Sequence, residues 1–367
     1  MRLCNNAVLV VLLSAVASML AGQQAPTPVN GAGAPSAQTQ QQAPQTSPFS
    51  VDRDPVRSPD AEPPVVVSTG SGRKQGGDGF ILHTDVEEVV LNATVLEGNK
   101  LVPDLKKENF EVEEDGVKQT LISFQHSDLP VSIAMVVDNS GSMSRKRPAV
   151  NKSALDLIQA SNPQDEAFVV NFSDEAYIDQ EFTSNLNKLR DGLSQMESRG
   201  GTALYDAVVA SADKLAADAK RPKQVLILIT DGEDNASTLN LEQTIQRVQQ
   251  LSGPVIYSIG LLFGDEMTRS EVRNARHALD LLSQETGGMA YFPKSIENID
   301  QIAAEVARDI RNQYTLGYHS NKPTTEPGFR RVQVTATAKG MGKLVVRTRT
   351  GYFPVAHVGK QGAATAK

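Results

Sequence analysis

Cysteine is all but missing from this 367-residue chain, the single copy being Cys4. It precedes the apolar run at residues 7–20, so it cannot be the acylated cysteine of a lipoprotein. If that run is removed as a signal, the mature chain is thiol-free and no disulfide staples it. No Lys/Arg run is sustained and the formal net charge is −7. That excludes the basic footprint on which phosphate neutralisation depends, so nucleic acid is not an expected partner. Long hydrophobic runs are missing too: residues 7–20 fall short of the roughly 20 residues of a spanning helix. Nucleophile chemistry is equally sparse. His83, His126, His277, His319 and His357 sit in no recognisable nucleophile–base context, and no Gly-x-Ser-x-Gly elbow occurs.

What is present begins with Arg2, the apolar run, and small residues at Ala21 and Gly22, the layout of a Sec signal peptide over 1–22. Ala15-Val16-Ala17 offers a second small-x-small cleavage point. The expected location is secreted, periplasmic or cell-envelope, with no stable membrane span after cleavage. Residues 23–78 are rich in Gln, Pro, Ser, Thr, Gly and Ala, too poor in apolar side chains to offset chain entropy, and read as a disordered linker. A short tail at 356–367 reads the same way.

Order returns near Phe80. Residues 86–95 alternate in part and end at a Glu97-Gly98-Asn99-Lys100 turn, and residues 110–117 run into Asp115-Gly116, with residues 121–124 expected to continue a hairpin on the far side. After Pro130 short continuous apolar runs at 133–137, 167–170, 225–229 and 255–259 alternate with helical patterns at 204–215, 241–251 and 272–282. Strands buried on both faces with helices between them predict a doubly wound, mostly parallel α/β sheet. Residues 314–318, 331–337 and 344–348 return to strand chemistry. The expected architecture is an α/β domain over 129–312 inserted into a small β-rich domain formed by 79–128 and 313–355, because neither flank alone has strands enough to close a sandwich.

Polar chemistry concentrates where the first α/β strand ends, at Asp138-Asn139-Ser140-Gly141-Ser142. In open α/β sheets ligands gather outside the carboxyl ends of the strands. Another strand end supplies Thr230-Asp231-Gly232-Glu233-Asp234, and a glycine-rich loop supplies Gly200-Gly201-Thr202. Oxygen-only donors suit a hard cation, Mg²⁺ first, or Mn²⁺ or Ca²⁺, and leave no reason for zinc. An EF-hand is ruled out, because Met143 holds its required glycine position and Ala149 its bidentate glutamate position. Asp206 is expected on a helix beside the site rather than in it.

Asp-x-Ser-x-Ser, Gly-Gly-Thr and Thr-Asp-Gly in this order resemble the metal-ion-dependent adhesion site of von Willebrand factor A domains. The resemblance implies that Asp138, Ser140, Ser142, Thr202 and Asp231 form a metal site, with the hydroxyls as direct ligands. It also implies adhesion to a protein partner through that partner's Asp or Glu, and coupling of the site to the last helix, near 299–311. Residues 105–112, Glu114-Asp115-Gly116, Leu316-Gly317-Tyr318 and Arg349-Thr350-Gly351-Tyr352 resemble the VWFA-related family described mainly from Acidobacteria. Two other readings stand beside adhesion. One is an envelope scaffold stabilised by metal. The other is a phosphohydrolase with Asp138 as nucleophile, whose usual Asp-x-Asp pattern is broken by Ser140; no enzyme activity is expected.

Overall fold

The structure is a computed structural model that describes residues 88–354 except 161, 195–197, 252, 265 and 266. The expected signal peptide, linker and tail, and residues 79–87 of the first β-rich part, lie outside the described residues. Along the chain come β1 (Glu88–Glu97), β2 (Lys100–Leu101), β3 (Phe110–Glu114), β4 (Val117–Gln119), β5 (Leu121–Gln125) and β6 (Val131–Asp138). The α/β segment continues with α1 (Arg147–Gln159), β7 (Glu166–Phe172), β8 (Ala176–Thr183), α2 (Leu186–Ser194), α3 (Leu204–Asp218), β9 (Lys223–Thr230), α4 (Leu241–Gln250), β10 (Val255–Gly260), α5 (Arg269–Thr286), β11 (Ala290–Tyr291) and α6 (Ile299–Arg311). It gives way to β12 (Tyr314–His319), β13 (Arg330–Ala336), β14 (Leu344–Arg347) and β15 (Gly351–Tyr352).

The central sheet has the order β11-β10-β9-β6-β7-β8 and is parallel except for the β7–β8 pair. Every residue of β6 and β7 is buried, as strands covered on both faces require. Ile133, Met135 and Val137 pack with Ile227 and Ile229 under Val150 and Leu157 of α1, Leu189 of α2 and Val306 of α6. Ala134, Val136, Phe168 and Leu228 face the other way, under Val208 of α3, Val248 of α4 and Leu282 of α5. The sheet is therefore doubly wound, an α/β architecture. Side-chain caps set two of the helix starts: Asn240 and Thr268 accept from the backbone of Gln243 and Glu271, which bond back.

The strands flanking this segment pair with each other. β1 lies antiparallel to β12 and β14, and β13 lies antiparallel to β3. Two small sheets, β14-β1-β12-β5 with β2 beside β1, and β15-β13-β3-β4, enclose one core that includes Leu91, Val112, Tyr314, Leu316 and Val332. Asp115 and Gly116 both take positive φ, 48° and 77°, as a two-residue primed turn demands, and they join β3 to β4. The expected continuation of that hairpin through 121–124 is corrected: β5 leaves for the opposite sheet and pairs with β12. Leu121 is thereby buried in the shared core. Glu114, buried at the end of β3, accepts hydrogen bonds from Tyr318, Tyr352 and Ser320, with Arg330 3.9 Å away.

Where the chain passes between the two parts, Arg311 bonds Asp128 at 2.6 Å and pairs with Asp165. Beside it Lys223 is buried, donates to the Ile310 carbonyl, and is pushed down to about 7 by burial and then by the Arg311 charge. A lowered folded-state value means that the native protein binds fewer protons than the unfolded chain between about pH 7 and 10.5, so this group adds stability as pH rises through that window. In urea melts, wild type should gain on Lys223→Met by a slope approaching about 1 kcal/mol per pH unit across the window. A difference that stays flat with pH would contradict this placement of the charge.

Candidate metal centre

Strand β6 pairs in parallel with β7 on one side and β9 on the other, so the direction in which successive strands are added reverses across it and a crevice opens at the carboxyl ends of β6 and β9. Asp138 ends β6, and Asp231 directly follows β9. Asp138 is fully buried; one carboxylate oxygen accepts from the Ser140 amide at 2.7 Å, the other from the Thr230 hydroxyl at 2.5 Å. Burial pushes its carboxyl up to about 6, against the pull of those hydrogen bonds. The Ser140 and Ser142 hydroxyls lie 3.1 Å apart, and Ser142 Oγ donates to Asp231 Oδ1 at 2.7 Å.

Thr202 arrives from a separate loop. Gly200 ahead of it takes φ 82°, and a Cβ there would stand 2.3 Å from the Asp174 carboxylate, so only glycine lets this loop close. Asp174 accepts from the Gly201 amide at 2.7 Å. Asn235 fixes Thr202 at both backbone ends, accepting from its amide at 2.8 Å and donating its own amide to its carbonyl at 3.0 Å. Ser142, Thr202 and Asp231 line one cavity of about 240 Å³, together with Lys146, Glu233, Asp234 and Glu271 and with the apolar Phe263, Met267 and Val272. Among the described residues no histidine lines it. Asp138 and Ser140 form its buried support, so all five residues named from the sequence meet at this strand end.

Several residues at the site escaped the sequence reading. Lys146 caps the start of α1 and places its ammonium 2.6 Å from Asp231 Oδ2, with both side chains buried. Its ammonium also lies 5.5 Å from the Phe263 ring centre. Arg147 braces the loop from beneath, donating to Asn171 at 2.8 Å and to the Leu193 carbonyl at 2.9 Å; burial pushes its guanidinium down to about 10. Thr230 was visible in the strand-end motif, but its bond to Asp138 was not. Asp206, on α3, receives the amides of Thr238 at 2.8 Å and Leu239 at 3.1 Å, tying down the loop after Asp231.

Among the described residues no three His, Cys, Asp or Glu side chains cluster as metal ligands. The centre depends on hydroxyls instead. Two carboxylates and three hydroxyls make an oxygen set, and the ammonium seated on Asp231 Oδ2 shows that it takes positive charge, which fits a hard divalent ion. Among the described residues no helix is long and apolar enough to cross a membrane.

The family model described as von Willebrand factor type A domain matches residues 133–233, the stretch that holds all five site residues. Human inter-alpha-trypsin inhibitor heavy chain H4 is 25% identical over 222 residues, 55% of this chain and 23% of that protein. The mouse inter alpha-trypsin inhibitor, heavy chain 4, is 31% identical over 132 residues, 32% of this chain and 14% of that protein. The chain thus spans about a quarter or less of the length of these relatives. A solved von Willebrand factor type A protein from Catenulispora acidiphila is 13% identical, with a TM-score of 0.42, covering 73% of this chain and 75% of that one.

Proposed function

Since the chain carries a von Willebrand factor type A domain, we propose that it binds a divalent cation through Ser140, Ser142 and Thr202, with Asp138 and Asp231 bonding directly or through water, and uses it to hold a carboxylate of a protein partner. The observation that carries this reading is the linked oxygen set at the cavity: Ser140 bonds Ser142 and Ser142 bonds Asp231, and Thr202 lines the same cavity as Ser142 and Asp231. The bound ion would supply an electrophilic centre. Neutral hydroxyls quench little of its charge, so an acidic oxygen from outside completes the shell.

The chain's own residues hold that centre rigid. Asp138 is fixed by Ser140 and Thr230, and Thr202 is held by Asn235. Mg²⁺ is the ion of choice for an all-oxygen set, with Mn²⁺ or Ca²⁺ as alternates. The partner's contribution is an Asp or Glu. The apolar run at residues 7–20 supports a place for the chain in the envelope or outside the cell. The scaffold reading, with metal as fold stabiliser, is disfavoured because Lys146 already neutralises Asp231.

The test is a calorimetric titration of Mg²⁺ and Mn²⁺ into the full chain. It is followed by capture on a bead-bound peptide carrying a single glutamate, against its glutamine counterpart, with and without chelator. Saturable uptake and glutamate capture that chelator reverses are expected. An absence of uptake at millimolar metal overturns the metal-dependent reading.

A further inference from the structure

Among the described residues, Lys146 is the one cation whose side chain lines the cavity. Its position is built rather than incidental. The Lys146 amide donates to the Met143 carbonyl at 2.8 Å, and its carbonyl accepts from Val150 at 3.1 Å, which anchors its backbone at the start of α1. From there the side chain crosses Phe263 and ends on Asp231 Oδ2, in a pair whose side chains are 9% and 0% exposed. The other oxygen of the same carboxylate receives Ser142 Oγ, a hydroxyl assigned to the metal.

We propose that Lys146 is a tethered counter-ion that occupies the charge-accepting side of the centre and must yield when a divalent ion binds, so that it sets the affinity of the site and keeps the metal-free protein folded. This rests on the metal reading above. Two cations sharing one carboxylate are close neighbours, and in a buried setting little water intervenes to damp their repulsion. Meanwhile a buried carboxylate stripped of its ionic partner is destabilising. The ammonium therefore acts with opposite sign on two observables: it opposes metal uptake and it supports the metal-free fold. A side chain that merely shaped the loop would move both in the same direction.

Lys146→Met keeps the stem over Phe263 and removes the charge; Lys146→Gln is the second variant, should the first fold poorly. In calorimetric Mn²⁺ and Mg²⁺ titrations the variant should bind at least about tenfold tighter than wild type. In melts with chelator it should unfold at a lower temperature than wild type, and added metal should raise its melting temperature more than that of wild type. Uptake by wild type with equal or weaker binding by both variants overturns the counter-ion role and leaves the metal site standing. Failure of wild type and both variants to bind removes the metal reading and this one together. Uptake by the variants alone would support the opposition of the lysine to metal and overturn the metal-dependent function of the wild-type chain.

Discussion

Asp138→Asn takes up no Mg²⁺ under conditions that saturate wild type, yet in chelator at about pH 7.5 it melts higher. The two halves of this result have one cause. Asp138 is fully buried, and its carboxyl is raised from 3.8 to about 6 chiefly by that burial. A raised acid means that the native state keeps a proton which the unfolded chain has released, so the metal-free protein loses stability as pH climbs from about 4 to 6 and does not recover it above. The shift corresponds to at most about 3 kcal/mol. Asparagine has no proton to lose, and its carbonyl still accepts from the Ser140 amide. Its amide can donate to Thr230, whose hydroxyl both donates and accepts. What it cannot supply is the negative charge that a divalent ion needs. A variant that still saturates would remove Asp138 from the centre, and one that melts lower would show that its hydrogen bonds outweigh its burial.

Glu114→Ala should lower the stability of the chain by about 3–5 kcal/mol, a fall in melting temperature on the order of 10 °C in a thermal scan. Glu114 gathers Tyr318 from β12, Tyr352 from β15 and Ser320 just past β12 onto a single carboxylate at 2.6–2.9 Å, with the buried Arg330 at hand. Alanine takes the acceptor from the Tyr318 and Tyr352 hydroxyls in the core and from the half-buried Ser320, and removes the charge opposite Arg330, whose guanidinium keeps the Pro323 carbonyl. Glu114→Gln, which retains an acceptor but not the charge, should fall between. A change under about 1 kcal/mol would mean that water reaches this pocket and replaces the carboxylate.

The central sheet could be read from the sequence because its strands are apolar on both faces; the runs at 133–137 and 225–229 lie wholly inside β6 and β9, and the helix expected near 299–311 is α6. β8 escaped for the converse reason. It is antiparallel, mostly half-buried, and mixes Ala176 and Ile178 with Asp179, Gln180 and Glu181, so neither periodicity nor a continuous apolar run marks it. The path of β5 was illegible for a different reason: alternation shows that residues form a strand but not which strand they pair with, and the partner β12 lies nearly two hundred residues away. The site residues were legible as a motif because short spacing puts Asp138, Ser140 and Ser142 on one loop. Lys146 was not, since a lysine at a helix start is ordinarily a solvated surface charge, and its partner Asp231 is 85 positions away.

The register of β1 also bears on the order of events during synthesis. Val90 pairs with Gly317, and Val95 with Val346, so β1 and β5 leave the ribosome long before their neighbours β12 and β14 exist. Only the short local pairs, β1 with β2 and β3 with β4, can close at once. The segment between β5 and β12, once folded, brings its two ends together through Arg311, Asp128 and Asp165, which shortens the effective loop that β1 must close from hundreds of residues to a few tens. The α/β part is thus the template on which the β-rich part assembles, and a nascent chain halted before residue 314 would display unpaired strand edges with an apolar face, a natural substrate for a holding chaperone.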